Sequence, residues 1–205
     1  MLHFTLALNV LEYGYFTREI GIIFSRGLDT HGVNVLYAYA DSNFAAPKSH
    51  GCSITMMNGG PITVRCKKHT TTDDSTTEAE FTEAFHCSRD IAGIRNLLSE
   101  VGLHQMDPTV MYEDNQPAIK IAENRGAQQK SSKSFDIAVY SLRDRIDDQE
   151  IKMKYIETLK MVSDLGTKNL GVRQFEFLRD LMNGYALVRA SARKKDLPSM
   201  VIAFD

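Results

Sequence analysis

The sequence has no tryptophan and only three cysteines, Cys52, Cys66 and Cys87. So sparse and odd a set excludes a disulfide framework as the source of stability. No apolar run approaches the ~18 residues of a membrane-spanning helix. The opening Leu2-His-Phe-Thr-Leu-Ala-Leu8 has no basic n-region and is too short for a signal peptide. An excess of positive charge is also missing: 24 Lys and Arg stand against 26 Asp and Glu, for a net charge of −2. That excludes a protein that coats DNA by bulk charge. Any nucleic-acid contact must come from local basic patches or from bound metal. These absences predict an intracellular, reduced, soluble protein, cytoplasmic or nuclear, with no membrane contact.

What is present suffices for one sizeable domain with extensions, since 205 residues can bury a real core. Residues 1–19 show helix-like apolar spacing through Leu6, Val10, Leu11 and Tyr15. Val33 to Ala40 is β-rich and is expected to end at Asp41. Gly51–Met57 and Ile62–Lys67 flank Asn58-Gly-Gly-Pro61, a strong hairpin signal. Ser75 and Glu78 make a capping box for a long amphipathic helix reaching about Glu100. Thr109–Glu113 predicts a strand, and Pro117 suits the first turn of a helix that ends near Asn124. Phe135 to Asp147 predicts a helix and Glu150–Tyr155 a strand. Val162 to Met182 reads as helical with an interruption near Gly171, and the tail beyond it as loose. The expected order is β-β-β-α-β-α-α-β-α, with the first three strands antiparallel.

Four acids sit in short phrases at expected strand ends and helix starts. They are Asp41 in Tyr39-Ala-Asp-Ser-Asn-Phe44, Glu80 in Ser75-Thr-Thr-Glu-Ala-Glu-Phe81, Asp114 in Met111-Tyr-Glu-Asp-Asn-Gln116 and Asp164 in Met161-Val-Ser-Asp-Leu165. If the first and fourth strands are neighbours, all four converge on one edge of the sheet. Magnesium takes hard oxygen ligands, and a pair of such ions against a phosphodiester needs three or four carboxylates. Cys66-x-x-His69 and His86-Cys87 match no zinc spacing. Two basic stretches are candidates for phosphate contact: Arg65, Lys67, Lys68 and His69, and Lys130, Lys133, Arg143 and Arg145. Asn115 and Gln116, directly after the third acid, are candidates for backbone or sugar-hydroxyl contact.

These phrases resemble the ribonuclease H (RNase H) domain at the end of copia-type LTR retrotransposon Pol polyproteins. That family carries Y-x-D-A-D-W, S-S-T-E-A-E-Y, Y-x-D-N-Q-x-A-I, K-H-I-D-I and Y-V-P-T-x-x-x-x-A-D-I-L-T-K. Here the last two read Lys133-Ser-Phe-Asp-Ile137 and Tyr155-Ile-Glu-Thr-Leu-Lys-Met-Val-Ser-Asp-Leu-Gly-Thr-Lys168. The resemblance spans Gly21 to Met182. It implies an α/β RNase H-like fold with a five-stranded mixed sheet of order 3-2-1-4-5 flanked by helices. It implies three segments: 1–20 as the tail of the reverse-transcriptase region, 21–182 as the RNase H-like domain, and 183–205 as a tail.

The implied activity is endonucleolytic cleavage of the RNA strand of an RNA–DNA hybrid during reverse transcription. The implied cofactor is two Mg²⁺, with Mn²⁺ as a substitute. Asp41, Glu80, Asp114 and Asp164 are the implied catalytic and metal-binding residues, and Asp136 is read as helix-organising. The implied partners are the hybrid, through Asn115, Gln116, Lys67, Lys68 and Lys133, and the reverse-transcriptase body of the same polyprotein. The alternative is a decayed copy that at most binds nucleic acid. An integrase or transposase of the same broad fold fits less well, because Glu80 lies on the first helix rather than a late one. Departures from the family phrases include Asp73 and Asp74, where small and apolar residues are usual, Ser134 in place of the histidine, and Gly166 after the fourth acid. If the apolar position of the Asp73-Asp74 pair is buried, an unpaired carboxylate there is expected to cost several kcal/mol.

Overall fold

The computed structural model describes residues 2–25, 29–70, 72–123 and 133–189. Asn58 and Gly59 both take positive φ, 53° and 79°, the conformation a type I′ hairpin turn requires. They join β2 (His50–Met57) to β3 (Gly60–Lys68). β1 (Leu36–Asn43) lies antiparallel on the other side of β2. β4 (Thr109–Glu113) then adds parallel to β1, and β5 (Ile151–Tyr155) parallel to β4. The order β3-β2-β1-β4-β5 is the expected one, and the fold is RNase H-like.

A helix starts after the hairpin because Ser75 caps it. Its hydroxyl accepts from Glu78 N at 3.1 Å, and the Glu78 carboxylate accepts from Asp74 N at 3.0 Å. The reciprocal half of the expected box thus falls one residue early. The resulting α2 (Thr76–Glu100) lays Phe81, Ala84, Cys87 and Ile91 against Ala38, Ala40 and Met111 on one face of the sheet. α3 (Gln116–Glu123) and α4 (Lys133–Asp147) complete that core with Ala118, Ala138 and Leu142. Phe81 is fully buried, and truncating such a ring to alanine costs about 3–5 kcal/mol. Among the described residues this layer is the larger of two apolar clusters.

The second face is thinner. Tyr37, Cys52, Ile54, Met56 and Val162 form its core, with Leu165 and Leu181 against them. Two short helices cover it, α5 (Asp164–Thr167) and α6 (Val172–Met182). The helical stretch read from 162 to 182 is therefore broken over residues 168–171. β1 also runs two residues past Asp41, so that acid lies inside the strand rather than at its end. The remaining helix, α1 (Leu2–Phe16), is largely exposed and touches α6 through an edge-to-face pair, Tyr13 on Phe175. No described helix is long and apolar enough to cross a membrane.

Of the Asp73-Asp74 pair, Asp74, at the apolar position, is exposed, and Asp73 is buried but not unpaired. Its Oδ2 meets His69 Nδ1 at 2.8 Å and its Oδ1 accepts from Thr82 at 3.2 Å. His69 Nε2 stands 3.4 Å from Glu83 Oε2, and Glu83 also takes Arg65 at 2.7 Å. This network ties the start of α2 to β3. Burial alone would lower the His69 pKa, but the bonds to Glu83 and Asp73 outweigh it and raise the value. A folded-state pKa above the ordinary histidine value of about 6.5 stabilises the fold fully below that pH. The contribution is lost as pH rises through the folded value. We therefore expect Tm to fall as the pH is raised from 6 toward 8, and the slope over that interval to flatten in His69→Gln. A parallel slope in the variant, measured by thermal denaturation, would show that His69 does not carry it.

Candidate metal-binding active site

The sheet register brings the first pair of acids together. Tyr39 sits opposite Tyr112 across the parallel β1–β4 pair. Two residues further along each strand, Asp41 and Asp114 come side by side. Glu80, in the second turn of α2, reaches over the same end of the sheet, and its Oε2 accepts from Ser42 N at 2.7 Å. One carboxylate oxygen each from Asp41, Glu80 and Asp114 lies within 4.8 Å of the others. Asp41 and Glu80 are buried and Asp114 is half-buried.

Asp164 joins this group through a lysine. Lys168 Nζ lies 2.7 Å from Asp164 Oδ1, 3.1 Å from Asp41 Oδ1 and 3.7 Å from Asp114 Oδ2. The helical i,i+4 spacing of α5 sets Asp164 and Lys168 on one face. Thr167 donates to Asp41 Oδ2, and Thr158 donates to Asp114 Oδ2 at 2.8 Å. Three of the four predicted acids therefore stand around one ammonium group, and Glu80 joins them through its cluster with Asp41 and Asp114. Glu80, Asp114 and Lys168 line a cleft of about 460 Å³ that opens past Phe44, Thr76 and Asn115.

The charges in this cleft do not balance without a cation. At ~4 Å two carboxylates repel by about 4 kcal/mol at an effective dielectric of 20. Burial, with the Asp41 charge next, pushes the Glu80 carboxyl up to about 9. Burial likewise raises Asp164 to about 6, despite the Lys168 bond. Burial raises Asp41 too, and the Thr167 and Lys168 bonds only partly offset it. For Lys168, burial works against the ammonium. The Asp164 bond and the Asp41, Asp164 and Asp114 charges more than compensate, holding it above the usual lysine range. The donor set is all hard oxygen, and a positive group is already drawn into its centre. That suits a small divalent cation such as Mg²⁺.

Other candidates divide. Asn115 lines the cleft, but its Oδ1 accepts from Ala118 N at 3.0 Å and so caps α3. Gln116 is exposed on the first turn of α3. Lys67 and Lys68 are exposed at the end of the edge strand β3. They pair with Gly51 and His50, which in turn face Ser42 and Asn43. That puts them at the Asp41 end of the sheet, two strands or ~10 Å away. Lys133 opens α4, and its side chain, with Lys130 and Ser134, lies outside the described residues. Asp136 is exposed in the first turn of α4, where a negative charge favours the helix dipole. Sequence reasoning missed Lys168, Thr167 and Thr158. The i,i+4 spacing from Asp164 was the available signal for the first.

No family model matches the chain. It is 29% identical over 152 residues to the retrovirus-related Pol polyprotein from transposon TNT 1-94 of Nicotiana tabacum, covering 72% of this chain and 11% of that one. It is 24% identical over 173 residues to the transposon Ty1-LR3 Gag-Pol polyprotein of Saccharomyces cerevisiae, covering 83% and 10%. The chain thus spans about a tenth of the length of the curated relatives it matches. Two similar solved structures are RNase H1 from Halobacterium salinarum and LC11-RNase H1 in complex with an RNA/DNA hybrid. The first has a TM-score of 0.47 and 11% identity and covers 62% of this chain and 89% of that one. The second has a TM-score of 0.48 and 8% identity and covers 62% and 88%.

A direct test of the charge balance is Lys168→Met. In EDTA the variant is expected to melt below the parent, by about 2–4 °C for each kcal/mol lost. Added Mg²⁺ should raise its Tm by more than it raises the parent's. An equal response would mean that the ammonium and the divalent cation do not compete for the carboxylates. In sequence the chain is a relative of retrotransposon Pol polyproteins, and in strand order and helix placement it carries an RNase H-like fold.

Proposed function

We propose that this chain cleaves the RNA strand of RNA–DNA hybrids in retrotransposon reverse transcription, with two Mg²⁺ ions held by Asp41, Glu80, Asp114 and Asp164. The observation that carries this reading is the convergence of Asp41, Glu80 and Asp114 ligand oxygens within 4.8 Å, with Asp164 on the same ammonium. When bound, such ions activate a water and stabilise the leaving 3′ oxygen of a phosphodiester. Asp41, clustered with Glu80 and Asp114 and sharing an ammonium with Asp164, would help to hold the ions together with all three. Thr167 and Ser42 N fix the orientation of Asp41 and Glu80 before substrate arrives. Lys168 is available to meet a phosphate oxygen once the carboxylates are otherwise neutralised.

Substrate selection falls to groups around the cleft. Gln116, exposed on the first turn of α3, would meet the sugar hydroxyls that distinguish RNA from DNA. Lys67 and Lys68 would meet phosphates of the same duplex. The reverse-transcriptase body is the expected covalent neighbour in a polyprotein, and residues 1–20 would be the end of it. The decayed-copy reading drew in part on the Asp73-Asp74 pair, of which Asp73 is hydrogen-bonded to His69 and Thr82 and Asp74 is exposed.

The test is incubation of the purified chain with an end-labelled RNA–DNA hybrid, a DNA duplex and an RNA duplex in Mg²⁺. Only the hybrid should be cut, in its RNA strand, and EDTA should stop the reaction. Asp41→Asn should reduce the rate by roughly a hundredfold or more, the scale of removing one group that supports transition-state charge. Tight hybrid binding without cleavage would favour the alternative of a nucleic-acid-binding remnant. Undiminished cleavage by Asp41→Asn would remove the site from the reaction.

A further inference from the structure

Two of the three cysteines face each other across the hairpin. Cys52 on β2 is the register partner of Cys66 on β3, and their sulfurs are 2.7 Å apart. Directly opposed residues on antiparallel strands hold their Cβ atoms ~4.5–5.5 Å apart, near the range that a disulfide spans. Cys52 is fully buried, whereas Cys66 is exposed on the edge strand. The hydrogen bond to Cys52 lowers the Cys66 thiol to about 7, and the same bond together with burial raises Cys52. One sulfur is a reachable nucleophile and the other a buried partner beside it. Cys87 is enclosed in the core on the opposite face of the sheet.

What lies over the pair is α5. A Cβ on Gly166 would collide with both sulfurs. The two sulfurs occupy the space that the leucine of the family phrase would need. The glycine costs up to ~1 kcal/mol of helix propensity, and here it is what lets α5 rest on the thiols. The residues on either side of Gly166 include Asp164, Thr167 and Lys168, which hold the acidic cluster together.

We propose that Cys52 and Cys66 are a redox-active dithiol that closes to a disulfide by exchange with a low-molecular-weight disulfide such as oxidised glutathione, and that this bond resets the seat of α5. The Cys66 thiolate attacks one sulfur of oxidised glutathione, forming a mixed disulfide and expelling one glutathione thiolate. Cys52 gives up its proton and attacks the Cys66 sulfur. The Cys52–Cys66 bond forms and the second glutathione leaves. The protein loses two electrons and two protons, and both glutathione halves end as thiols. Closing a contact of 2.7 Å to a bond of ~2.05 Å reshapes the sulfur surface on which Gly166 rests, and the proposed shift of α5 would carry Thr167 and Lys168 relative to Asp41. Intracellular disulfides of this sort are usually reversible sensors rather than staples.

The full chain is treated with oxidised glutathione, alkylated and mapped by peptide mass spectrometry. The expected product is lighter by two hydrogens, joins Cys52 to Cys66, leaves Cys87 reduced and reverts with dithiothreitol. In Cys52→Ser, a glutathione adduct should instead persist on Cys66. No mass change, a bond to Cys87, or a lasting adduct on Cys66 of the parent would overturn the dithiol. Its coupling to α5 rests on the proposed metal site and has its own readout, the Tm rise on adding Mg²⁺. Oxidation should shrink that rise in the parent but leave it unchanged in a Cys52→Ser/Cys66→Ser double variant. An equal rise in reduced and oxidised parent overturns the coupling alone. No rise in either form overturns the metal-site reading and the coupling with it, and leaves the thiol result standing.

Discussion

Repulsion among acids at one end of the sheet is the constraint to which the neighbouring structure answers. Asp41, Glu80, Asp114 and Asp164 come from β1, α2, the end of β4 and α5. No single element could place them so, and none of them relieves the others. Relief comes from positive and donor groups supplied by the scaffold: the Lys168 ammonium, the Thr167 and Thr158 hydroxyls, and Ser42 N. The larger core beneath α2 does not touch this balance. It makes the sheet rigid enough that the carboxylates cannot drift apart to lower their energy.

Much of this was legible because it depends on short-range patterns. Asn58-Gly59 names its own turn, Ser75 names the start of α2, and alternation names the strands. Parallel neighbours β1 and β4 then put Asp41 beside Asp114 with no further information. The cysteine pairing was not legible, and the reason is specific. A two-residue turn that pairs Met57 with Gly60 would, continued regularly, set Cys52 against Arg65. A bulge between Thr55 and Met56 shifts the register by one, and Cys66 takes that place. Nothing in the local sequence announces the bulge. His69 and Asp73 escaped for a related reason, since the chain must turn between them before their side chains meet.

The residues that depart from the family phrases are answered by neighbours in space. Asp73 is buried where a small side chain is usual, and His69, four residues earlier, bonds to it. Gly166 leaves a void where leucine is usual, and Cys52 and Cys66 fill it. A buried charge or an empty pocket taken singly would weaken the scaffold around Glu80 and Asp164. Taken with their neighbours, these positions hold together, which is how a site can keep its ligands while its surroundings change.

The bond from Thr167 to Asp41 closes across 126 residues of sequence. Contacts of that separation form only after shorter loops have ordered, because the chain entropy they remove is repaid late. The β1–β2–β3 meander and α2 can assemble with local contacts alone, while α5 must wait for β4, α4 and β5. The fourth acid and Lys168 thus reach the cluster together, at the start and just past the end of the same short helix. The connectivity delivers the last negative charge to the cleft together with the cation that lies against three of the acids.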